Sequence, residues 1–221
     1  MKKSRRYRTS HLLEDQYEPG SRGLVLKNLL GIKSKGEMDR IEAVAFKQTE
    51  DALFRMQTYG KHHRFSANDI CKIHEIWLGN IYEWAGEYRQ VKISKDGFPF
   101  AFPEWIPKLM EEFERNFLRR YTLRLFKDKN QAVEALARVH AELVLIHPFR
   151  EGNGRVARLL STLMVLQGGF PLLNFGPMEG RGTAQYIKAV HAGAEKNYSL
   201  MEDIFKKILR GSFPKGRKPE A

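Results

Sequence analysis

Cysteine occurs once in the 221 residues, at Cys71, which excludes an internal disulfide and suits a reducing compartment. Set among Ile70, Ile73 and Ile76, it reads as a buried apolar side chain and not as a nucleophile. Long hydrophobic runs are also missing. The longest apolar stretch, Val156 to Phe175, carries Arg158 and Gln167, so no membrane span is expected. The basic N-terminus is not followed by the apolar segment of a secretory leader. These absences favour a cytoplasmic protein, or one delivered into another cell as an effector. Acidic residues are in short supply: 26 Asp and Glu face 38 Lys and Arg, a net charge of +12. Of that, +5 falls in residues 1–9 and +5 in residues 205–221, which leaves +2 for everything between. Basic ends can bind nucleic acid or anionic surfaces non-specifically, but more often they are solvated tails. The middle of the chain is not basic, so nucleic acid is not an expected partner.

Apolar residues make up 42% of the chain, enough for a proper core in a length that suits one domain or at most two. The reading divides the chain into a flexible basic arm (residues 1–15), a single domain (16–210, with its core at about 65–170) and a basic tail (211–221). Apolar residues at helical spacing predict helices over Glu37–Tyr59, Ala67–Tyr82, Pro103–Arg119 and Asn130–Ile146. Three more are predicted over Arg155–Gln167, Gly182–Glu195 and Tyr198–Leu209. Ser66 and Asp69 have the spacing of a capping box at the start of the second. In the fourth, Ala132, Leu136, Val139, Leu143 and Ile146 form one apolar face. Between these helices Val91 and Ile93 alternate with polar residues, Lys95-Asp96-Gly97 follows, and then come Phe98, Phe100 and Phe102. Asp-Gly between alternating apolar residues is a strong hairpin signal. The expected fold is therefore mainly α with one small β-hairpin.

The chemistry concentrates in His147-Pro148-Phe149-Arg150-Glu151-Gly152-Asn153-Gly154-Arg155-Val156-Ala157-Arg158. Pro148 disfavours helix in the residue before it, so His147 stands at a helix end, at the mouth of a loop. The negative end of the helix dipole favours its charged form, and an imidazole near its ordinary pKa is a good proton acceptor for an attacking hydroxyl. Gly152 and Gly154 permit turns whose successive N–H groups form a concavity for anions. A helix begins directly after them, which is a ready phosphate site. Arg155 and Arg158, three apart on that helix, carry guanidinium forks that match phosphate oxygens. Glu151 is a lone hard carboxylate, the kind that holds Mg2+ together with phosphates and water.

These twelve residues resemble the motif of the Fic family: His-Pro-Phe, any residue, Asp or Glu, then Gly-Asn-Gly-Arg and a second Arg three later. Ile81-Tyr82-Glu83-Trp84-Ala85-Gly86-Glu87-Tyr88-Arg89 looks like the family's Trp-Ala-Gly segment, and the resemblance spans roughly Tyr17 to Phe205. It implies a Fic-type helical bundle whose β-hairpin, at about residues 88–102, is a flap over the active site. It also implies transfer of AMP from ATP, with Mg2+, to a Ser, Thr or Tyr hydroxyl of a target protein. In those terms His147 is the general base and Glu151 the Mg2+ ligand. Gly152, Asn153 and Gly154 form the anion cradle, Arg155 reads the β-phosphate, Arg158 reads the γ-phosphate, and Phe149 is a core anchor. The flap aligns the target chain by strand-like pairing, with Lys95 and Phe98 as contacts. A related branch that phosphorylates its target carries Lys where Arg155 stands, so Arg155 argues for nucleotidyl transfer.

Many family members block themselves with a helix carrying Ser or Thr, three residues, Glu, then Gly or Asn. The nearest match, Ser10 to Glu14, is followed by Asp15 and departs at that last position. The expectation is thus a chain of the class without its own inhibitor, with a separate small antitoxin supplying the glutamate toward Arg158. Two other readings stand beside it. The same fold could move another phosphate-linked group, such as UMP or phosphocholine, because the loop reads phosphates and not the base. Alternatively, the basic ends could make this a nucleic-acid-binding protein.

Overall fold

In a computed structural model, residues 11–55, 58–122, 126 and 128–213 are described. Eight α-helices and one hairpin organise them. Helix α1 (Lys35–Arg55) and helix α2 (Ala67–Leu78) pack together, and the capping box at Ser66 and Asp69 is formed. The hairpin pairs β1 (Ser94–Lys95) with β2 (Phe98–Pro99), Ser94 opposite Pro99 and Lys95 opposite Phe98. Asp96 (φ 50°) and Gly97 (φ 82°) both take the left-handed conformation that a two-residue turn of this hand requires. A 3-10 turn (Pro103–Trp105) leads into α3 (Ile106–Phe113), which continues through a π-helical stretch (Glu114–Leu118) into the short α4 (Arg119–Tyr121). Then follow α5 (Lys129–Ile146), α6 (Asn153–Gln167), α7 (Thr183–Gly193) and α8 (Ser199–Ser212).

Helix α5 is the axis of the molecule. It packs on α6, α7 and α8 and also touches α3. Twelve of its 18 residues are buried, so it is covered on nearly all sides. The single apolar face read from the sequence was too narrow. Ala135, Ala137 and Ala141 let neighbouring helices approach on the remaining sides, and small residues leave little trace in a hydrophobic pattern. Among the described residues no helix is long and apolar enough to cross a membrane.

Several boundaries differ from expectation. Helix α1 ends at Arg55 and α2 at Leu78, and the strand pairing covers two residues on each side, so Val91 and Phe102 lie outside the ladder. Within the segment expected as the arm, Leu13–Asp15 form a 3-10 turn and Glu14 is buried. Residues 1–10 and 214–221, and with them Ser10 and most of the basic tail, lie outside the described residues.

Candidate active site

Helix α5 ends at His147, whose φ of 53° and ψ of 59° place it in the left-handed region. The stop was expected, but the conformation was not, since a residue before proline prefers extended backbone. Three contacts hold it there. The His147 N–H donates to Leu143 O (3.1 Å), its Nδ1 lies 3.1 Å from Val144 O, and Arg89 Nε donates to His147 O (2.7 Å). A carbonyl only accepts, so Nδ1 carries the proton and Nε2 keeps its lone pair. The Phe100 ring stacks on the imidazole, 3.7 Å between centroids.

Burial lowers the His147 pKa to about 4, the Val144 carbonyl opposes the shift, and the positive charges of Arg89 and Lys95 add to it. This corrects the expectation that the helix dipole keeps the ring charged. Desolvation outweighs the dipole, and the ring is a neutral base at physiological pH.

The loop after His147 closes on itself. Asn153 Oδ1 accepts from the Phe149 N–H (2.9 Å) while its Nδ2 donates to Phe149 O (2.8 Å). The Asn153 side chain therefore shapes the turn through one of its two N–H groups and one oxygen lone pair. Phe149 is fully buried and stacks on His74 at 3.9 Å. Gly152 has a φ of +84°, and a Cβ there would come within 2.5 Å of Trp77 Cζ3. Gly154 is different: it lies in the first turn of α6 with ordinary helical backbone, and a Cβ would meet only Arg158 Nη1 at 4.0 Å.

A cavity of about 400 Å³ brings together His147, Glu151, Gly152, Asn153, Gly154 and the hairpin residue Lys95. Its other walls are the hairpin and, from α7, Tyr186, Ile187, Val190 and His191. Phe98 of β2 stacks on His191 at 4.2 Å, so the hairpin roofs the cavity from the motif to α7. Glu151 faces solvent, and its carboxylate accepts from the Gly152 N–H (2.9 Å).

The two motif arginines do not line this cavity. Arg155 Nη2 donates to Glu42 Oε2 of α1 (2.7 Å), lies 3.7 Å from Glu151 Oε1, and the guanidinium covers the Trp77 ring at 4.3 Å. Arg158 is half-buried, and its guanidinium forms no ion pair with another described residue. Its charge is felt by Glu50, His140 and Tyr186. Glu14 points elsewhere: its carboxylate accepts from the Gln90 N–H (2.5 Å), and Arg150 Nε donates to its backbone oxygen (2.9 Å).

Three residues the sequence reading passed over hold the site. Arg89, only 2% exposed, donates to Val91 O (2.7 Å), Ala101 O (2.6 Å) and Ile146 O (3.4 Å) besides His147 O. It thus binds both legs of the hairpin to the end of α5. Its place in the Trp-Ala-Gly segment was the one available signal. Glu42 fixes Arg155 and accepts from Tyr82 Oη (2.7 Å). His74 bridges α2 to the loop at Glu151 O (3.1 Å). Neither had a local signature.

Residues 64–165 match the Fic/DOC family. It is 34% identical over 146 residues to the protein adenylyltransferase VbhT of Bartonella schoenbuchensis, spanning 66% of this chain and 30% of that one. The present chain thus covers less than a third of VbhT. It is 28% identical over 193 residues to the probable protein adenylyltransferase Fic of Escherichia coli, spanning 84% and 88% of the two chains. The fold superimposes on the crystal structure of BepC from Bartonella tribocorum, which holds AMPPNP, with a TM-score of 0.70, 21% identity and coverage of 90% and 97%.

Proposed function

We propose that the protein is an adenylyltransferase that moves AMP from ATP to a hydroxyl of a target protein. The observation that carries this reading is the neutral His147, with its Nε2 lone pair free, in one cavity with the anion-accepting turn and the Glu151 carboxylate. Similarity to proteins named as adenylyltransferases points the same way.

The target hydroxyl gives its proton to His147 Nε2 as its oxygen attacks the α-phosphorus. The bond from that phosphorus to the bridging oxygen breaks, and pyrophosphate leaves. Most of the catalysis in such a transfer is positioning and charge stabilisation. Gly152 and its neighbours offer amides to the phosphates, and Arg155 and Arg158 flank the turn from the first two turns of α6. No group of three or more His, Cys, Asp or Glu able to hold a metal exists among the described residues. One exposed carboxylate, Glu151, fits Mg2+, which keeps waters and takes its other oxygens from phosphates. When bound, the ion supplies neutralising charge at the phosphates. The hairpin's short strands supply backbone edges along which a target chain can pair. Arg158, without an ion pair among the described residues, is the position at which a separate small antitoxin would place an inhibitory glutamate.

The test is incubation with α-labelled or γ-labelled ATP and Mg2+, using the protein itself and a cell lysate as acceptors. Label from the α position alone, lost in His147→Ala, is the expected result. Label from the γ position would make the protein a kinase and overturn the reading.

A further inference from the structure

His74 has no place in the transfer chemistry, yet it is fully buried and its ring is engaged on every side. One face stacks on Phe149 of the motif at 3.9 Å, and the Trp77 and Trp84 rings lie at 6.2 and 6.1 Å. Both ring nitrogens are bonded to backbone. The Gly86 N–H donates to Nδ1 (2.8 Å), and Nε2 lies 3.1 Å from Glu151 O. An amide N–H can only donate and a carbonyl can only accept. Nδ1 is therefore the bare nitrogen and Nε2 carries the hydrogen, a single neutral tautomer dictated from both ends.

The bond to Glu151 O orients more than an oxygen. The peptide joining Glu151 to Gly152 is planar and trans, so its C=O and N–H point in opposite directions. Holding the carbonyl inward toward α2 turns the Gly152 N–H outward. In this structure that N–H meets an anionic oxygen, Glu151 Oε1, at 2.9 Å, on a side chain that lines the cavity. Trp77, three residues along the same helix, lies beneath Gly152 and leaves no room for a Cβ. Helix α2 thus presents a ring that orients the peptide and a ring that supports it.

We propose that His74 is a positioning residue for the anion cradle: its Nε2–H fixes the 151–152 peptide so that the Gly152 N–H faces the cavity and takes a nucleotide phosphate oxygen. The inference rests on the adenylyl-transfer reading. It adds a second layer, 77 residues before the loop in sequence, that sets which way a main-chain donor points.

Two substitutions separate this role from simple packing. Gln at position 74 reaches the place of Nε2 and can still donate to Glu151 O. Asn reaches the place of Nδ1, can still accept from Gly86, and cannot reach Glu151. Binding of a non-hydrolysable ATP analogue with Mg2+ would be measured by calorimetry on the full chain, alongside thermal unfolding and, with ATP, the split of KM and kcat. His74→Gln should bind within about 3-fold of the wild type, while His74→Asn should lose roughly 10-fold or more, the size of one charge-assisted hydrogen bond. In amide spectra the Gly152 resonance should move on nucleotide addition in the wild type and His74→Gln, and not in His74→Asn. Equal loss in both variants that follows their unfolding temperatures would reduce His74 to packing and overturn the proposal, as would unchanged binding in His74→Asn. A wild-type chain that binds no nucleotide would instead remove the adenylyl-transfer reading itself.

Discussion

Gly152 and Gly154 read alike in the sequence, and the structure gives them different work. A side chain at Gly152 meets both a left-handed backbone and the Trp77 ring. Gly152→Ala should cost about 2–5 kcal/mol of stability, combining the left-handed penalty with overpacking. Gly154→Ala should leave stability equal or raised by up to about 1 kcal/mol, since alanine favours a helix, while nucleotide binding falls. Urea unfolding with nucleotide titration checks both; equal destabilisation by the two would contradict the distinction. At His147, burial holds the pKa near 4, so the basic form prevails above that value and the rate falls only as pH drops toward it. Because kcat/KM follows the free enzyme, its profile should be flat from about pH 6 to 8 as far as this group is concerned. An inflection near 6.5 would show the ring titrating as if solvated. All the loop residues were legible in the sequence because their types and spacing are local. Their division of labour was not. In the folded chain Asn153 also bonds to Phe149 and Arg155 to Glu42, partners that are set by packing.

The hairpin shows how far element-scale reading extends. Its Asp96-Gly97 turn was plain from composition, and alternation marked the flanking residues. What could not be read is how the hairpin is fastened. Two phenylalanine rings lie on histidines of two different elements, His147 at the end of α5 and His191 on α7. Arg89 joins its two legs to the motif through four carbonyls, which a planar fork of five donors can satisfy and an ammonium cannot. Arg89→Lys should therefore lower the unfolding temperature and cut transfer by at least about 10-fold, since buried hydrogen bonds from a charged group are individually strong. Activity and stability at wild-type levels would show the clasp to be dispensable. Likewise α5 and α6 were located closely, but the burial of α5 on nearly all sides depends on which helices surround it, a property of the assembled bundle.

At the scale of the whole molecule, three histidines are kept neutral inside. Burial lowers the pKa to about 4 at His74, about 3 at His140 and about 4 at His147. His140 bonds to Ser161 Oγ (3.3 Å) and Tyr186 Oη (3.0 Å), between α5, α6 and α7. In the unfolded chain each would take a proton near pH 6.5. The unfolded state therefore binds more protons below that pH, and the stability these groups contribute is full above about 6.5 and drains as pH falls toward 4. Denaturant midpoints at pH 7.5, 6 and 5 should decline across that window, before most carboxylates titrate; a midpoint constant to pH 5 would refute this. Helix α1 carries a further implication. It lies wholly outside residues 64–165, yet its Glu42 carboxylate bonds to Arg155 and Tyr82, and its Glu42 carbonyl accepts from Trp77 Nε1. A fragment cut to the family match would strand those donors and release the arginine from its tether. A unit for engineering, transplantation or ligand screening thus has to include helix α1 and is larger than the stretch matched to the family.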